Sequence, residues 1–235
     1  MIDLKRIGAV LAALTVGVLA WDYPVVLPLK LLVVFLHESG HALATKLVGG
    51  SVDSIRVSFD EGGLCMSRYE PTFLNKLLVY SGGYLGSALS GAVLLILALR
   101  WKRSGRGVLF VLAAWLVVAN VLWGRDVTTL AIGAGLAVLL GAGARFLPAD
   151  LAQTAAVFLA TFNGMYALFD VRDDLWDASR RAGTDAALLA ATTPIPSLVW
   201  AVLWTLFAAA LLGGALWMGV RGEKPKARGV AQLVP

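Results

Sequence analysis

Histidine and cysteine are almost absent from this chain of 235 residues, which has two histidines and one cysteine. The single cysteine, Cys65, excludes an intramolecular disulfide and leaves the redox compartment open. Charge is scarce as well, because 15% of the residues are charged and 59% are hydrophobic, whereas soluble domains have about 25% charged residues. With a mean hydropathy of +0.79, this composition predicts an integral membrane protein in contact with the lipid bilayer.

The net charge of +5 comes from basic residues at the ends of apolar segments, as in 100–106 and 221–228. Lysine and arginine at such positions anchor spans at the lipid headgroups. We therefore expect no nucleic-acid partner. Similar numbers of basic residues flank the two sets of span ends, so the positive-inside rule does not orient the chain.

Seven apolar segments approach the roughly 20 residues that a helix needs to span a bilayer. They cover residues 7–20, 27–48, 73–99, 107–123, 127–144, 151–170 and 196–219. We predict an all-α membrane protein, a polytopic bundle of about 6 to 7 transmembrane helices in a single domain over residues 1–220. The basic tail 221–235 is expected to be disordered. Residues 1–20 also fit a signal peptide, and Trp21 and Tyr23 predict a turn at headgroup depth.

Both histidines belong to one motif, His37-Glu38-Ser39-Gly40-His41, inside the apolar segment 27–48. On a helix, side chains four residues apart project from the same face, so His37 and His41 can bind one metal ion with Glu38 beside them. This H-E-x-x-H spacing predicts a zinc site with a glutamate general base. Because the residues before the motif are apolar throughout, we expect the site to lie within the bilayer.

The segment after the motif alternates between apolar and polar residues, which is typical of a β-strand. Ile55, Val57 and Phe59 alternate with polar residues up to a Gly-Gly turn at 62–63, and the chain then resumes through Cys65. This pattern predicts a short β-hairpin, with an ordinary connecting loop as the alternative. Because lipid cannot satisfy an open strand edge, the hairpin must lie in a protein-lined cavity or at the membrane interface.

A zinc site with two histidines needs a further ligand, because catalytic zinc sites keep three protein ligands and a water. The chain has no third histidine, so the candidates are carboxylates, with Cys65 less favoured. Asp170 ends a strong apolar segment, and charges within spans are usually functional. Asn163 lies two helical turns before Asp170 on the same face. Asp173 and Asp174, one turn further along, fit either the ligand role or a solvated helix end.

Together these features resemble the site-2 protease family of intramembrane zinc metalloproteases. The resemblance rests on His37-Glu38-x-x-His41 in an apolar helix, the hairpin after it, the small-residue segment 81–87, and a later span with asparagine and aspartate. The compact bacterial branch, the family B-like metallopeptidases, is the most similar. It implies a bacterial cell membrane, a membrane protein or peptide as substrate, His37, His41 and Asp170 as zinc ligands, and Glu38 as the base that activates water.

The resemblance also implies that the hairpin, residues 52–68, receives an unwound substrate as an added strand. Val57 and Phe59 are the expected substrate contacts there. Asn163 is expected to hydrogen-bond the substrate backbone or the developing oxyanion, or alternatively a neighbouring helix. A zinc-binding scaffold without activity and a small proton or ion transporter are the alternative functions. The substrate, its regulation and the oligomeric state stay open.

Overall fold

The computed structural model describes residues 4–101, 103–166 and 183–220. In chain order the elements are α1 (Leu4–Leu19), a short 3-10 helix (Pro24–Val26), α2 (Leu27–Leu47), β1 (Ser51–Val57), β2 (Gly63–Arg68), α3 (Phe73–Arg100), α4 (Gly105–Trp123), α5 (Val127–Phe146), α6 (Ala149–Gly164), α7 (Asp185–Ala190) and α8 (Ser197–Val220). Asp170, Asp173, Asp174 and the tail 221–235 lie outside the described residues.

Five of the described helices are long and apolar enough to cross a membrane, namely α2 with the 3-10 turn before it, α3, α4, α5 and α8. The other two predicted spans, α1 and α6, have 16 residues each, or about 24 Å at 1.5 Å per residue, against a hydrocarbon core of about 30 Å. The prediction of a polytopic helical membrane protein with one hairpin is confirmed, with five helices of spanning length in the described ranges.

The predicted β-hairpin is present, and its two strands pair antiparallel with Ile55 opposite Cys65 and Val57 opposite Gly63. On β1, Ile55 and Val57 are buried while Arg56 between them is exposed, because successive side chains of a strand point to opposite faces. The sequence pattern therefore located both the strand and its inward face.

Protein covers the outer edge of β1. The N–H of Val57 donates to the Thr129 hydroxyl at 2.9 Å, and Ile55 forms a parallel bridge with Gly124. Both partners come from the α4–α5 connection and the start of α5. This cover keeps the outer edge of β1 from facing lipid.

The motif helix α2 packs directly on α3, with backbones in close approach. A Cβ built on Gly40 would lie 2.3 Å from the carbonyl oxygen of Gly82, so a side chain at Gly40 has no room. Small residues bring membrane helices together in this way, and Gly82 belongs to the small-residue segment 81–87. The close approach places the histidines of α2 against α3.

The predicted turn around Trp21 and Tyr23 is present, and its headgroup depth stays a prediction. Trp21 is buried, and its ring stacks on Phe162 of α6 with centroids 5.7 Å apart. Its neighbour Tyr23 is 64% exposed. The indole packs inside the protein because the turn after α1 lies against α6 and α2.

Candidate metal centre

Three side chains with ligand atoms converge in the part of the chain that the structure describes: His37 and His41 from α2, and Asp185 from the first turn of α7. The two Nε2 atoms are 3.0 Å apart. Asp185 Oδ2 lies 3.2 Å from His37 Nε2 and 3.0 Å from His41 Nε2. Each residue therefore points one donor atom at a common centre.

The spacing and chemistry of these atoms fit a zinc ion. Zinc bonds of about 2.1 Å in a tetrahedral site place neighbouring ligand atoms about 3.4 Å apart, a few tenths of an ångström more than the separations here. Two imidazole nitrogens and one carboxylate oxygen are also the donor set of catalytic zinc sites, which leave the fourth position open for water or substrate.

Neighbouring groups fix the orientation of both imidazoles. His41 Nδ1 lies 2.7 Å from the carbonyl oxygen of Val79 on α3, so this nitrogen donates and Nε2 faces the centre. Such an outer partner sets the tautomer of a metal-binding histidine. The His37 ring contacts the rings of Tyr84 and Tyr166 edge-on, with centroids 4.7 and 5.0 Å away. These rings leave His37 little rotational freedom.

Asp185 reaches the histidines because α7 is anchored on both sides. The helix begins at a Thr184 cap, whose hydroxyl accepts a hydrogen bond from the N–H of Ala187. Ala186 and Leu189 are buried in a cluster with side chains of α3 and α8. Burial of these two apolar residues turns the preceding carboxylate toward α2.

The carboxyl of Asp185 is ionised in this setting. Burial alone would raise the pKa of Asp185, but attraction to His41 and hydrogen bonds with His37 and His41 outweigh it and hold that pKa well below its usual range. An ionised carboxylate is the form that binds a metal ion.

Glu38 lies between the metal centre and the hairpin. Its side chain is buried, and the backbone N–H of Cys65 on β2 donates to its carboxylate. A Cβ on Gly63 would lie 2.3 Å from Glu38 Oε1, so β2 passes in contact with this side chain. The glutamate is thus held beside the two histidines by the strand.

Cys65 is not part of the described cluster of ligand atoms. Burial, together with the negative charges of Glu38 and Asp185, raises the pKa of the Cys65 thiol to about 12. The thiol is therefore protonated at neutral pH in the metal-free protein.

The side-chain amide nitrogen of Asn163 is hydrogen-bonded to α3. Nδ2 donates to the carbonyl oxygen of Ser87 and to the hydroxyl of Ser90, both at 3.0 Å. These bonds match the alternative in which the asparagine ties two helices together. A role for Asn163 toward substrate stays a prediction, as do the roles of Val57, which is buried, and of Phe59, which is 62% exposed on the hairpin loop.

Sequence reasoning missed Asp185. An aspartate at the end of a long apolar span is the stronger sequence signal, whereas Asp185 follows Gly183-Thr184 and begins a helix of six residues. The available signal was a threonine cap directly before an aspartate and a short apolar run. The assignment of Asp170 falls outside the described residues and stays a prediction.

Gly83 of α3 lines the metal centre, which leads to a prediction. A Cβ at this position would lie 2.3 Å from His37 Nε2 and 2.4 Å from His41 Nε2. We expect Gly83→Ala to lower zinc affinity by about 10- to 100-fold, because the methyl group displaces both nitrogens. Competition with a chromophoric zinc chelator measures the affinity. Gly135→Ala is the matched control, since a Cβ there meets no atom within 4 Å; equal affinities in the two variants would contradict the geometry.

Comparison with known proteins agrees with this architecture. The model of a family described as Peptidase M50B-like matches residues 10–215. No curated protein and no solved structure matches the chain significantly. The matching family is a site-2 protease family of metallopeptidases, so the resemblance seen in the sequence is confirmed. Its match over most of the chain, joined to five apolar helices and a buried His-His-Asp cluster, shows that this integral membrane protein belongs to the Peptidase M50B-like family.

Proposed function

We propose that the protein is a zinc-dependent intramembrane endopeptidase of a bacterial cell membrane, which hydrolyses peptide bonds of transmembrane or membrane-associated substrates. The observation that carries the proposal is the convergence of His37, His41 and Asp185 within an apolar helix bundle, with the Glu38 carboxylate next to them. A structural zinc site has no need of a buried glutamate that does not belong to the ligand set.

Each residue of the site has its own role in the proposed hydrolysis. His37, His41 and Asp185 would hold a zinc ion, which when bound would supply a Lewis acid for the scissile carbonyl and for a water molecule. Glu38 removes a proton from the attacking water and delivers it to the leaving amine. The N–H of Cys65 keeps the Glu38 carboxylate oriented during both transfers. Tyr84 and Tyr166 hold His37 in place, so the ligand geometry is preorganised.

The hairpin supports an extended substrate. Thr129 and Gly124 occupy the outer edge of β1, whereas β2 runs beside Glu38. A peptide strand added along β2 would bring its main-chain amides to the general base, which is the β-augmentation mode of peptide recognition. A transmembrane helix has to unwind locally to bind in this way, because its own hydrogen bonds hide the scissile amide.

Metal removal tests the proposed function. We expect the purified full-length protein in detergent to contain nearly equimolar zinc by mass spectrometry and to cleave a fluorescent transmembrane peptide. Because the centre holds the metal through only three side chains, 1,10-phenanthroline should abolish cleavage, and added zinc should restore it. Zinc without cleavage of any membrane peptide would favour the scaffold alternative. Absence of stoichiometric zinc would reject the metallopeptidase and leave a transporter role for the same charged residues.

A further inference from the structure

Lys30 is a buried cation in the motif helix, which the proposed hydrolysis does not use. Its side chain is 6% exposed, and its Nζ lies 2.7 Å from Glu61 Oε2 at the tip of the hairpin. The same Nζ lies 4.9 Å from the centre of the Trp21 ring, a cation–π distance. A charge inside a span is costly unless it is paired, so the partners of Lys30 explain how the helix tolerates it.

Glu61 has an unusual backbone for a glutamate. Its φ is 69°, in the left-handed region that glycine adopts easily and that other residues avoid. Gly62 and Gly63 follow directly, so the turn has flexible residues beside the strained one. Such strain persists where contacts of the side chain hold the residue in place, and here the contact is the ion pair with Lys30.

The ion pair lies on the helix face that carries the general base. Lys30, Val34 and Glu38 are spaced by four residues, so they fall on one face of α2. Gly63 of β2 meets the side chains of Val34 and Glu38 at the position of its missing Cβ. The hairpin therefore runs along this face from its tip at Lys30 to Cys65 at Glu38.

We propose that Lys30 is a positioning residue. Its ion pair with Glu61, called the latch below, holds β2 against α2 so that the edge of β2 faces Glu38. The latch fixes one end of the segment between Glu61 and Cys65, and the hydrogen bond from Cys65 to Glu38 fixes the other. When the latch is broken, the tip leaves α2, the N–H of Cys65 moves off the carboxylate, and an added peptide strand no longer lines up with the base.

The single cysteine supplies a readout that needs no proteolysis. Cys65 lies on β2, its side chain half-buried, and alkylation by N-ethylmaleimide in detergent reports how far the strand has opened. We expect Lys30→Met and Glu61→Gln each to accelerate alkylation of Cys65 by about tenfold and to lower kcat/KM for a transmembrane peptide by a similar factor. Zinc content should not change, because neither residue touches the ligands.

Three comparisons separate the latch from a general loss of structure. The double variant should resemble either single variant, since both substitutions break one interaction. Lys30→Arg keeps the charge and the contact with Trp21 and should behave like the unmodified protein. Glu61→Gly relaxes the backbone at φ 69° yet should still open the strand. Lys46→Met and Glu70→Gln are the matched controls, because both residues are exposed.

The expected change in kcat/KM rests on the proposed function, but the expected change in the rate of Cys65 alkylation does not. Unchanged alkylation in Glu61→Gln would overturn the latch even if the protein proves to be an active peptidase. Additive effects of the two substitutions would overturn it as well. If Lys30→Met misfolds and loses zinc, the alkylation rate of Cys65 in Glu61→Gln tests the latch instead. Glu61 lies at the partly exposed tip of the hairpin, where a substitution disturbs the fold less.

Discussion

Glu38→Gln should retain zinc and lose peptide cleavage by about a hundredfold to ten-thousandfold, the range that general acid–base catalysis contributes. The amide keeps the size of the side chain and can still accept the N–H of Cys65, but it cannot take a proton from water. Zinc content by mass spectrometry and initial rates on a fluorescent transmembrane peptide give the two quantities. The combination of full metal and lost turnover is expected because Glu38 lies beside the ligand atoms without being one of them.

Glu70→Gln is the matched control for this variant, because it makes the same change at an exposed glutamate just after the hairpin. It should cleave at the rate of the unmodified protein. Cleavage by Glu38→Gln at that same rate would remove Glu38 from the mechanism. Loss of zinc from Glu38→Gln would instead indicate that Glu38 is a zinc ligand. The inactive, zinc-loaded protein would also retain bound substrates, which co-purification can identify.

Asp185→Asn should release zinc and abolish cleavage. The change replaces an ionised oxygen, 3.0 Å from His41 Nε2, with a neutral amide that leaves two imidazoles to hold the metal. We expect zinc affinity to fall further than the roughly 10- to 100-fold that loss of an outer-shell partner causes. Titration against a zinc chelator measures the change. Helix α7 should stay docked in this variant, because Ala186 and Leu189 anchor it as well as the carboxylate.

Asp170→Asn separates the two candidate third ligands. With Asp185 in the ligand set, Asp170→Asn should keep zinc, and Asp173→Asn and Asp174→Asn should keep it too. The reverse pattern, in which Asp170→Asn loses zinc and Asp185→Asn retains it, would assign the third position to Asp170 and give Asp185 another role. Measuring all four variants under one set of conditions makes the ligand assignment independent of activity.

Sequence patterns predicted the features that depend on residues close to one another along the chain. The spacing of His37 and His41 follows from the helix repeat, and the structure brings their Nε2 atoms to 3.0 Å. The alternation through Ile55 and Val57, followed by a Gly-Gly turn, located the hairpin, because a period of two is a property of the strand itself. Composition was enough for the membrane class, since few soluble proteins have so little charge.

The features that sequence reasoning missed depend on packing between distant segments. Asp185 begins a helix of six residues, too short for a periodic pattern, and only its burial against α3 and α8 turns the carboxylate toward α2. The burial of Trp21 depends in the same way on packing against Phe162 and Lys30. Gly83 lies in the small-residue segment 81–87, and its contact with both imidazoles exists only because α2 and α3 pack together.

The distance along the chain between the ligand atoms has a consequence for biosynthesis. His37 and Asp185 are 148 residues apart in sequence, so a ribosome that has released α2 through α5 into the membrane has not yet made the carboxylate. A nascent chain with only the two imidazoles binds zinc weakly, and contacts of such long range form late in folding. Metal capture would then be among the last steps of maturation, so the proposed peptidase would stay inactive while its own spans insert beside other newly made membrane proteins.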